Sequence, residues 1–562
     1  MSINGALQLG RTALASSQAA LQVAGNNMAN AATPGFHRRS IRMAPLTGES
    51  VGRNMKIGRG VQIVSIRREL DLGLQARFRD AMSSQSRSMM DQRFLTAVET
   101  LQNELTDNDL SSVVSNFFNS FSELANNPED NAVRSLVIQQ GVSVAERIAS
   151  MRTDYNSVIG EIDREIGNAV RATNDLLDQI AQVNGKIVSS EGATGEASSL
   201  RDQRDMLIDE LAQFVEVDVI NHDNGNVDIL VNSLPILLAG ENRGLEVRTE
   251  SKADGLNVSV RIAADGSTLQ LNSGRIGGLM RQREDTVNPV LDQLDSFAGQ
   301  LIYQVNRLHS QGQGQTGLTS LTGTYLVDDT TANLNASATN LPFKIENGSF
   351  FVHMTHQQTG IRSTVQIDVD GNADSLDDLI ASINSQVANL SAGTGLGNVL
   401  TLDTDPGYEV SFSDDTSGAL AALGINTFFN GRNASDIEVH QDLIGNPGLL
   451  AAGTDHVAGS AGTAIAIADL QNKGLDDLGG ASLRQFWQNS INDLAVRTNA
   501  ANNSVDATTL VMDSLDAQIQ SVSGVSLDEE ALDLITYQRQ FQASARFIAT
   551  IDEILQTLIS LG

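Results

Sequence analysis

Cysteine is absent from all 562 residues, which removes disulfides, thiolate zinc sites and cysteine nucleophiles in one step. The compartment stays open, because an extracellular protein need not use disulfides. Aromatics are only 4% and there are 8 prolines, against 41% hydrophobic residues, so aliphatic helix packing is expected rather than aromatic-rich sandwiches. No apolar run approaches the length of a transmembrane helix. The opening MSINGALQLGRTALASSQAALQ has neither the basic start nor the continuous apolar core of a cleavable secretory signal. Positive charge is scarce as well: 37 Lys and Arg face 68 Asp and Glu, a net charge of −31. That balance speaks for solubility and against a general nucleic-acid binder, and a length prior of about 150 residues per domain suggests roughly three or four domains.

The charge is unevenly spread. Residues 1–80 hold 11 Lys and Arg and 4 Asp and Glu, a balance of +7, leaving 26 against 64, or −38, for residues 81–562. The basic part lies between Arg38 and Arg79. It is either a solvated basic face or a segment that docks on an acidic surface, most simply another copy's acidic body. Phe36 and Phe78 are the only aromatics in residues 1–80, so base-stacking platforms are missing.

The chain is organised around its last stretch, 526–562. Ser526 followed by Glu529 predicts a capping box. One seam then runs Leu527, Ala531, Leu534, Gln538, Phe541, Ala545, Ile548, Asp552, Leu555, Ile559 in steps of four and three, the 3.5-residue period of a helix packed along another helix. Its partner is read at the other end of the chain, where Leu7, Leu14, Leu21 and Met28 form a seven-residue ladder with Gly10, Ser17 and Ala24 between them. Small residues there permit close approach. The same helix buries little alone and carries Gly10 and Gly25, each costing about 1 kcal/mol relative to Ala, so it is expected to be poorly ordered in an isolated monomer and to fold on association. Gln538 and Asp552 are read as seam positions that keep the helix soluble and set register.

The ladder stops at Thr33, Pro34, Gly35 and Phe36, a type II turn signal. The string GNNMANAATPGFHRR, with Asn26, Asn27, Ala29, Asn30, Thr33, Pro34, Gly35 and Phe36, resembles the N-terminal signature of bacterial flagellar axial proteins, the rod, hook and hook-associated group. SGVSLDEEALDLITYQRQFQASARFI resembles their C-terminal signature, LRDQRDMLIDEL (200–211) and residues 428–453 resemble the hook-associated branch, and the β-rich middle matches least. The resemblance implies a structural subunit that polymerises as an adaptor ring joining hook to filament, exported unfolded by the flagellar type III apparatus to the extracellular flagellum. Its implied partners are other copies of itself, the hook protein, a second junction protein on the filament side, and an export chaperone at the C-terminal segment, with no nucleic acid, membrane insertion or cofactor. The alternatives are a flagellar hook protein or other axial subunit and, from another class, a flagellum-associated extracellular hydrolase. Leu7, Leu14, Leu21 and Met28 against Leu527, Leu534, Phe541, Ile548 and Leu555 are the candidate packing that orders on assembly.

The fold class expected is α+β multidomain: terminal helices pairing as a coiled coil (1–50 with 524–562), a mainly helical rod domain (51–315 with 451–523) with β-hairpins near 215–272, and a β-rich outer domain (316–450). Helical spacing appears at Phe94, Val98, Leu101 and Leu105, then at Val114 to Leu124. It runs almost unbroken from Asn131 to about Ser190, roughly 90 Å of helix at ~1.5 Å per residue. The alternating charges Arg201, Asp202, Arg204, Asp205 and Asp209 read as solvated helix pairs. Asn224–Gly225 marks a hairpin turn, a second strand pair is implied around Asp254, Gly255 and Asp265, Gly266, and Pro289 kinks a helix or lies near its start.

Catalytic and ligand motifs fail on context. Gly312, Gly314 and Gly317 spell GxGxxG after a helix rather than a strand. Asp368, Asp370 and Asn372 mimic half a calcium loop, but the required glycine position holds Ala373, with Gly371 two places early, and Leu379 stands where the bidentate Glu belongs. His353 and His356 have no third ligand nearby.

Overall fold

The computed structural model describes residues 3–50, 56–102, 109–194, 196–252, 255–454, 457 and 459–561. Leu105, Asp254 and Gly562, which entered the readings above, lie outside these residues. The chain forms two compact units, one of residues 1–94, 161–282 and 500–562, the other of residues 95–160 and 283–499.

In the first unit the N-terminal helix Ile3–Ala29 packs along the C-terminal helix Leu527–Leu561. A two-stranded hairpin follows, Arg39–Pro45 against Val61–Arg68, with a bulge at Arg42/Met43. The 200–211 block lies in the helix Ser198–Phe214, which leads into a four-stranded meander: Asp218–Asn221, Val227–Val231, Leu234–Leu238 and Glu241–Asn242. Its first turn is the expected one, with Gly225 at φ 85°. The third and fourth strands were not expected, because LPILL has no alternation for a strand reading to use. Strands Leu245–Lys252 and Gly255–Ile262 make the second hairpin.

In the second unit the helix Leu110–Asn126 starts where Asp109 accepts from the Ser112 amide (2.6 Å). It buries Phe117, Phe118 and Phe121. Phe117 meets Phe428 with ring centroids 5.5 Å apart, and Phe428 meets Phe429 at 4.7 Å, so residues far apart in sequence close one aromatic cluster. Pro289 sits in the first turn of the helix Asn288–His309, directly after a π-turn at Arg283–Val287, so it lies near the start of this helix, as one of the two expected placements had it. The β-rich segment holds two three-stranded sheets. One runs Arg362–Val369, Gly348–His356, Tyr408–Ser413 in spatial order; the other runs Ser320–Thr322, Leu400–Thr404, Leu390–Thr394. A helix, Leu376–Gln386, carries the expected capping box between Ser375 and Asp378. Phe350, Val352, Ile367, Leu379, Leu402 and Phe412 share one core there.

Three long helices contribute residues to both units: Leu72–Gln102, Asn131–Thr194 and Leu483–Ser523. The 64-residue Asn131–Thr194 helix buries Val144, Ile148, Met151, Tyr155, Val158 and Ile162, the row its spacing predicts.

Candidate assembly interface: the terminal helix pair and its clasp

The two terminal helices run antiparallel, since Gly10 lies against Ile548 while Asn27 lies against Glu530. The buried row of the N-terminal helix is small: Gly10, Ser17, Ala20 and Ala24, with Leu7, Leu14, Leu21 and Met28 half-buried along its flanks. A Cβ on Gly10 would stand 2.7 Å from Ile548 Cγ1, so this crossing needs the missing side chain.

On the C-terminal helix Leu534, Phe541, Ile548 and Leu555 do face the pair, half-buried. The other half of the seam is displaced by one residue. Glu530, Tyr537, Ser544 and Ile551 alternate with them, whereas Gln538, Ala545 and Asp552 are exposed and Leu527 keeps 54% of its surface. The seam role assigned to Gln538 and Asp552 therefore falls. The displaced row begins with a carboxylate, which a search for apolar periodicity passes over. Leu532, Ile535, Phe547, Ile554, Leu558 and Ile559 remain exposed on the same helix.

Glu530 is the buried end of the pair. Its carboxylate accepts from Arg38 Nε (2.7 Å) and from Asn27 Nδ2 (3.1 Å). Asn27, 1% exposed, also donates to the Arg39 carbonyl and accepts from the Arg39 amide. Ser526 does accept from the Glu529 amide at 3.4 Å, but the Glu529 carboxylate accepts from Arg38 Nη1 (3.0 Å), so the return half of the expected capping box is spent on the hairpin.

The other signature residues have equally local tasks. Asn26 accepts from Arg39 Nη1, Asn30 donates back to the Asn26 carbonyl, and Thr33 donates to Asn30. The Phe36 amide donates to the Thr33 carbonyl across Pro34 and Gly35, closing the turn. Gly35 takes φ 70°, and a Cβ there would meet Met206 Cγ at 2.3 Å, so the turn seats on the 198–214 helix only without a side chain. The Arg39 guanidinium lies over the Phe36 ring at 5.0 Å.

That seat is the main departure from the sequence reading. Asp202, Arg204 and Asp205 are buried, at 7%, 1% and 7% exposure, rather than solvated helix pairs. Asp202 accepts from His37 Nδ1 (2.9 Å) and Arg68 Nη1 (2.9 Å); Arg68 also donates to Asp205 (2.7 Å), and Arg79 donates to Asp209 (2.6 Å). The basic segment thus docks on an acidic surface of its own chain. Burial pushes the Asp202 carboxyl up, but the hydrogen bonds from His37 and Arg68 outweigh it and hold the group below the usual carboxylate range. Arg204 is pushed down to about 10 by burial, and donates to Asn184 Oδ1 and the Gly225 carbonyl.

Elsewhere polar groups are structurally committed. His309, driven down to about 4 by burial, donates from Nδ1 to the Asn426 carbonyl and accepts the Ala451 amide at Nε2. His353 sits between Thr364 and Ser413 (2.8 and 2.9 Å), with Ser413 donating to Asp414. A serine that gives its proton to a carboxylate beside it is not primed by the imidazole for attack. Among the described residues no group of three or more His, Asp or Glu could hold a metal ion, and no helix is long and apolar enough to cross a membrane.

Residues 95–324 match the family profile described as the flagellar hook-associated protein FlgK helical domain, and residues 517–561 match the flagellar basal body rod FlgEFG protein C-terminal profile. Flagellar hook-associated protein 1 of Escherichia coli (strain K12) is 25% identical over 563 residues, covering 98% of each chain. Its namesake from Bacillus subtilis (strain 168) is 25% identical over 566 residues, covering 99% of this chain and 97% of that one. The flagellar hook junction protein FlgK from Burkholderia pseudomallei shares the fold, with a TM-score of 0.50 at 15% identity over 80% of this chain and 100% of that chain. With a match to a hook-associated helical domain in its middle, a match to an axial-protein segment at its end and near-full-length likeness to curated relatives, the chain is similar to the flagellar hook-associated proteins.

Proposed function

We propose that this chain is the structural subunit that polymerises as an adaptor ring between hook and filament, and that it is not an enzyme. One observation carries the reading. The terminal helices spend their close-packed row on each other and leave Leu532, Ile535, Phe547, Ile554 and Leu558 exposed on the C-terminal helix. A soluble chain this acidic has no reason to keep such a row uncovered unless something else covers it. Other copies, the hook protein and the second junction protein on the filament side would cover it in the flagellum; an export chaperone would cover it before type III export. The half-burial of Leu7, Leu14, Leu21, Met28, Leu534, Phe541, Ile548 and Leu555 fits a pair that is marginal in a free subunit and ordered in the polymer. We keep the three-part division, with 1–50 and 524–562 as the polymerising domain and 316–450 outermost. The hook protein and a flagellum-associated hydrolase are the competing readings.

Deleting the gene tests all three. Hooks without filaments, with flagellin lost to the medium, are expected. Absent hooks would point to the hook protein, and intact filaments with altered wall turnover to the hydrolase.

A further inference from the structure

The strand Arg362–Val369 is an edge: it pairs with Gly348–His356 on one side, and among the described residues no strand lies on the other. The His356 amide donates to the Ile361 carbonyl across the hairpin, and Gln357 donates to Gly407 on the opposite side of the same strand. Ladder groups alternate sides along a strand, so the odd-numbered residues of 362–369 turn their backbone to Gly348–His356. The N–H and C=O groups of Arg362, Thr364, Gln366 and Asp368 therefore point outward. Their residues are all exposed, whereas Ile367 and Val369 are buried in the core beneath. An edge of this length is a template for another strand, and charges on it usually serve to blunt it. Here the charges are placed so that one pairing is favoured. With Val365 opposite itself, two antiparallel copies set Arg362 against Asp368 and Thr364 against Gln366, and every outward ladder group meets its complement. A shift of two residues one way puts Arg362 opposite Gln366 and leaves Asp368 without a cation; the other way sets Arg362 opposite Asp370, beyond the end of the strand, where the Asp370 amide is already given to Asp374 Oδ2.

We infer that this edge is a self-complementary docking surface whose partner is the same strand of a second copy, joined by about eight ladder hydrogen bonds and flanked by Arg362–Asp368 pairs. The contact is two-fold, so it cannot link neighbours that share one polarity along a polymer. It joins subunits outside that lattice: free subunits, or outer segments presented by two separate assemblies. A single strand pair is below the usual size of a stable interface, so the association is weak and concentration-dependent.

Sedimentation velocity of the full chain across a concentration series tests it by charge swap. Wild type is expected to dimerise at high concentration, Arg362→Asp and Asp368→Arg each to weaken the dimer about tenfold by placing like charges opposite each other, and the double swap to restore it. Circular dichroism of each variant checks that the segment stays folded. A chain that is monomeric throughout the series, or a dimer that both single swaps leave unchanged, overturns the inference; so does a double swap no better than the singles.

Discussion

Asp202→Ala is the most direct probe of how the N-terminal hairpin is held. The carboxylate takes two charge-assisted hydrogen bonds, from His37 and Arg68, each 2.9 Å long and closed off from water. Such bonds contribute about 1.5–3 kcal/mol each, and removing one member of a buried ion pair costs about 3–5 kcal/mol because the other charge is stranded. Arg68 is only partly stranded, since Asp205 at 2.7 Å and Glu196 at 3.4 Å remain. His37 keeps its contact with Gln75 and the more distant Asp209 carboxylate. The low end, about 3 kcal/mol, is therefore expected, or ~100-fold more frequent local opening. Hydrogen exchange read by mass spectrometry on peptides spanning residues 36–46 and 60–70 of the full chain would show it. Asp202→Asn keeps an acceptor of the same shape without the charge and should fall between wild type and Ala. Acid should mimic the substitution. The folded carboxyl titrates below its unfolded value, so its stabilisation is fully present above the unfolded value of about 3.9 and disappears as pH falls through the folded one. Exchange in Asp202→Ala within twofold of wild type in both peptides would refute the clasp as the hairpin's anchor.

At the far end of the pair, Asn27→Ala and Glu530→Ala should each destabilise the assembled form, and their double-mutant cycle should return a coupling of about 1 kcal/mol; a value near zero would mean the 3.1 Å contact is incidental. Gly10→Val should abolish complementation of the deletion strain while leaving thermal unfolding of the body unchanged, because the added Cβ meets Ile548 and Phe547 of the terminal helix; restored motility would contradict the close crossing. His309, held near 4 by burial against about 6.5 unfolded, contributes stability that is complete above pH 6.5 and lost as pH falls towards 4, on the order of 3 kcal/mol; exchange of residues 420–455 that is flat over that window would count against it. Circular dichroism of the full chain and of residues 51–520 should give nearly the same total helical signal in monomers if the terminal helices order on assembly, and a large loss on truncation would show them already folded.

What the sequence revealed follows from which force writes a periodic mark. Val144 to Ile162 are spaced by burial alone, and the 64-residue helix they belong to was legible from them. The Asn224–Gly225 turn and the Ser375 cap were equally plain, because backbone geometry at those points admits few residue types. The terminal pair was half legible for the same reason. Leu534, Phe541, Ile548 and Leu555 carry an apolar signal, but the alternate row begins at Glu530, whose burial is permitted by Arg38 and Asn27, nearly five hundred residues away in sequence. A reading confined to apolar spacing slides that row to Ala531, Gln538, Ala545 and Asp552, which look no worse. LRDQRDMLIDEL fails in the same manner: its charges sit at spacings that suit solvated helix pairs, and nothing local distinguishes them from charges committed to His37, Arg68 and Arg79. The excess of positive charge in residues 1–80 was the available clue. It says that an acidic counterpart exists, and the structure puts that counterpart on the same chain, so a charge asymmetry that suggested contact between copies proves first to be a contact within one. Exposed basic residues left over after this pairing, Arg42 and Arg67 among them, are the part of the asymmetry still free to act between subunits.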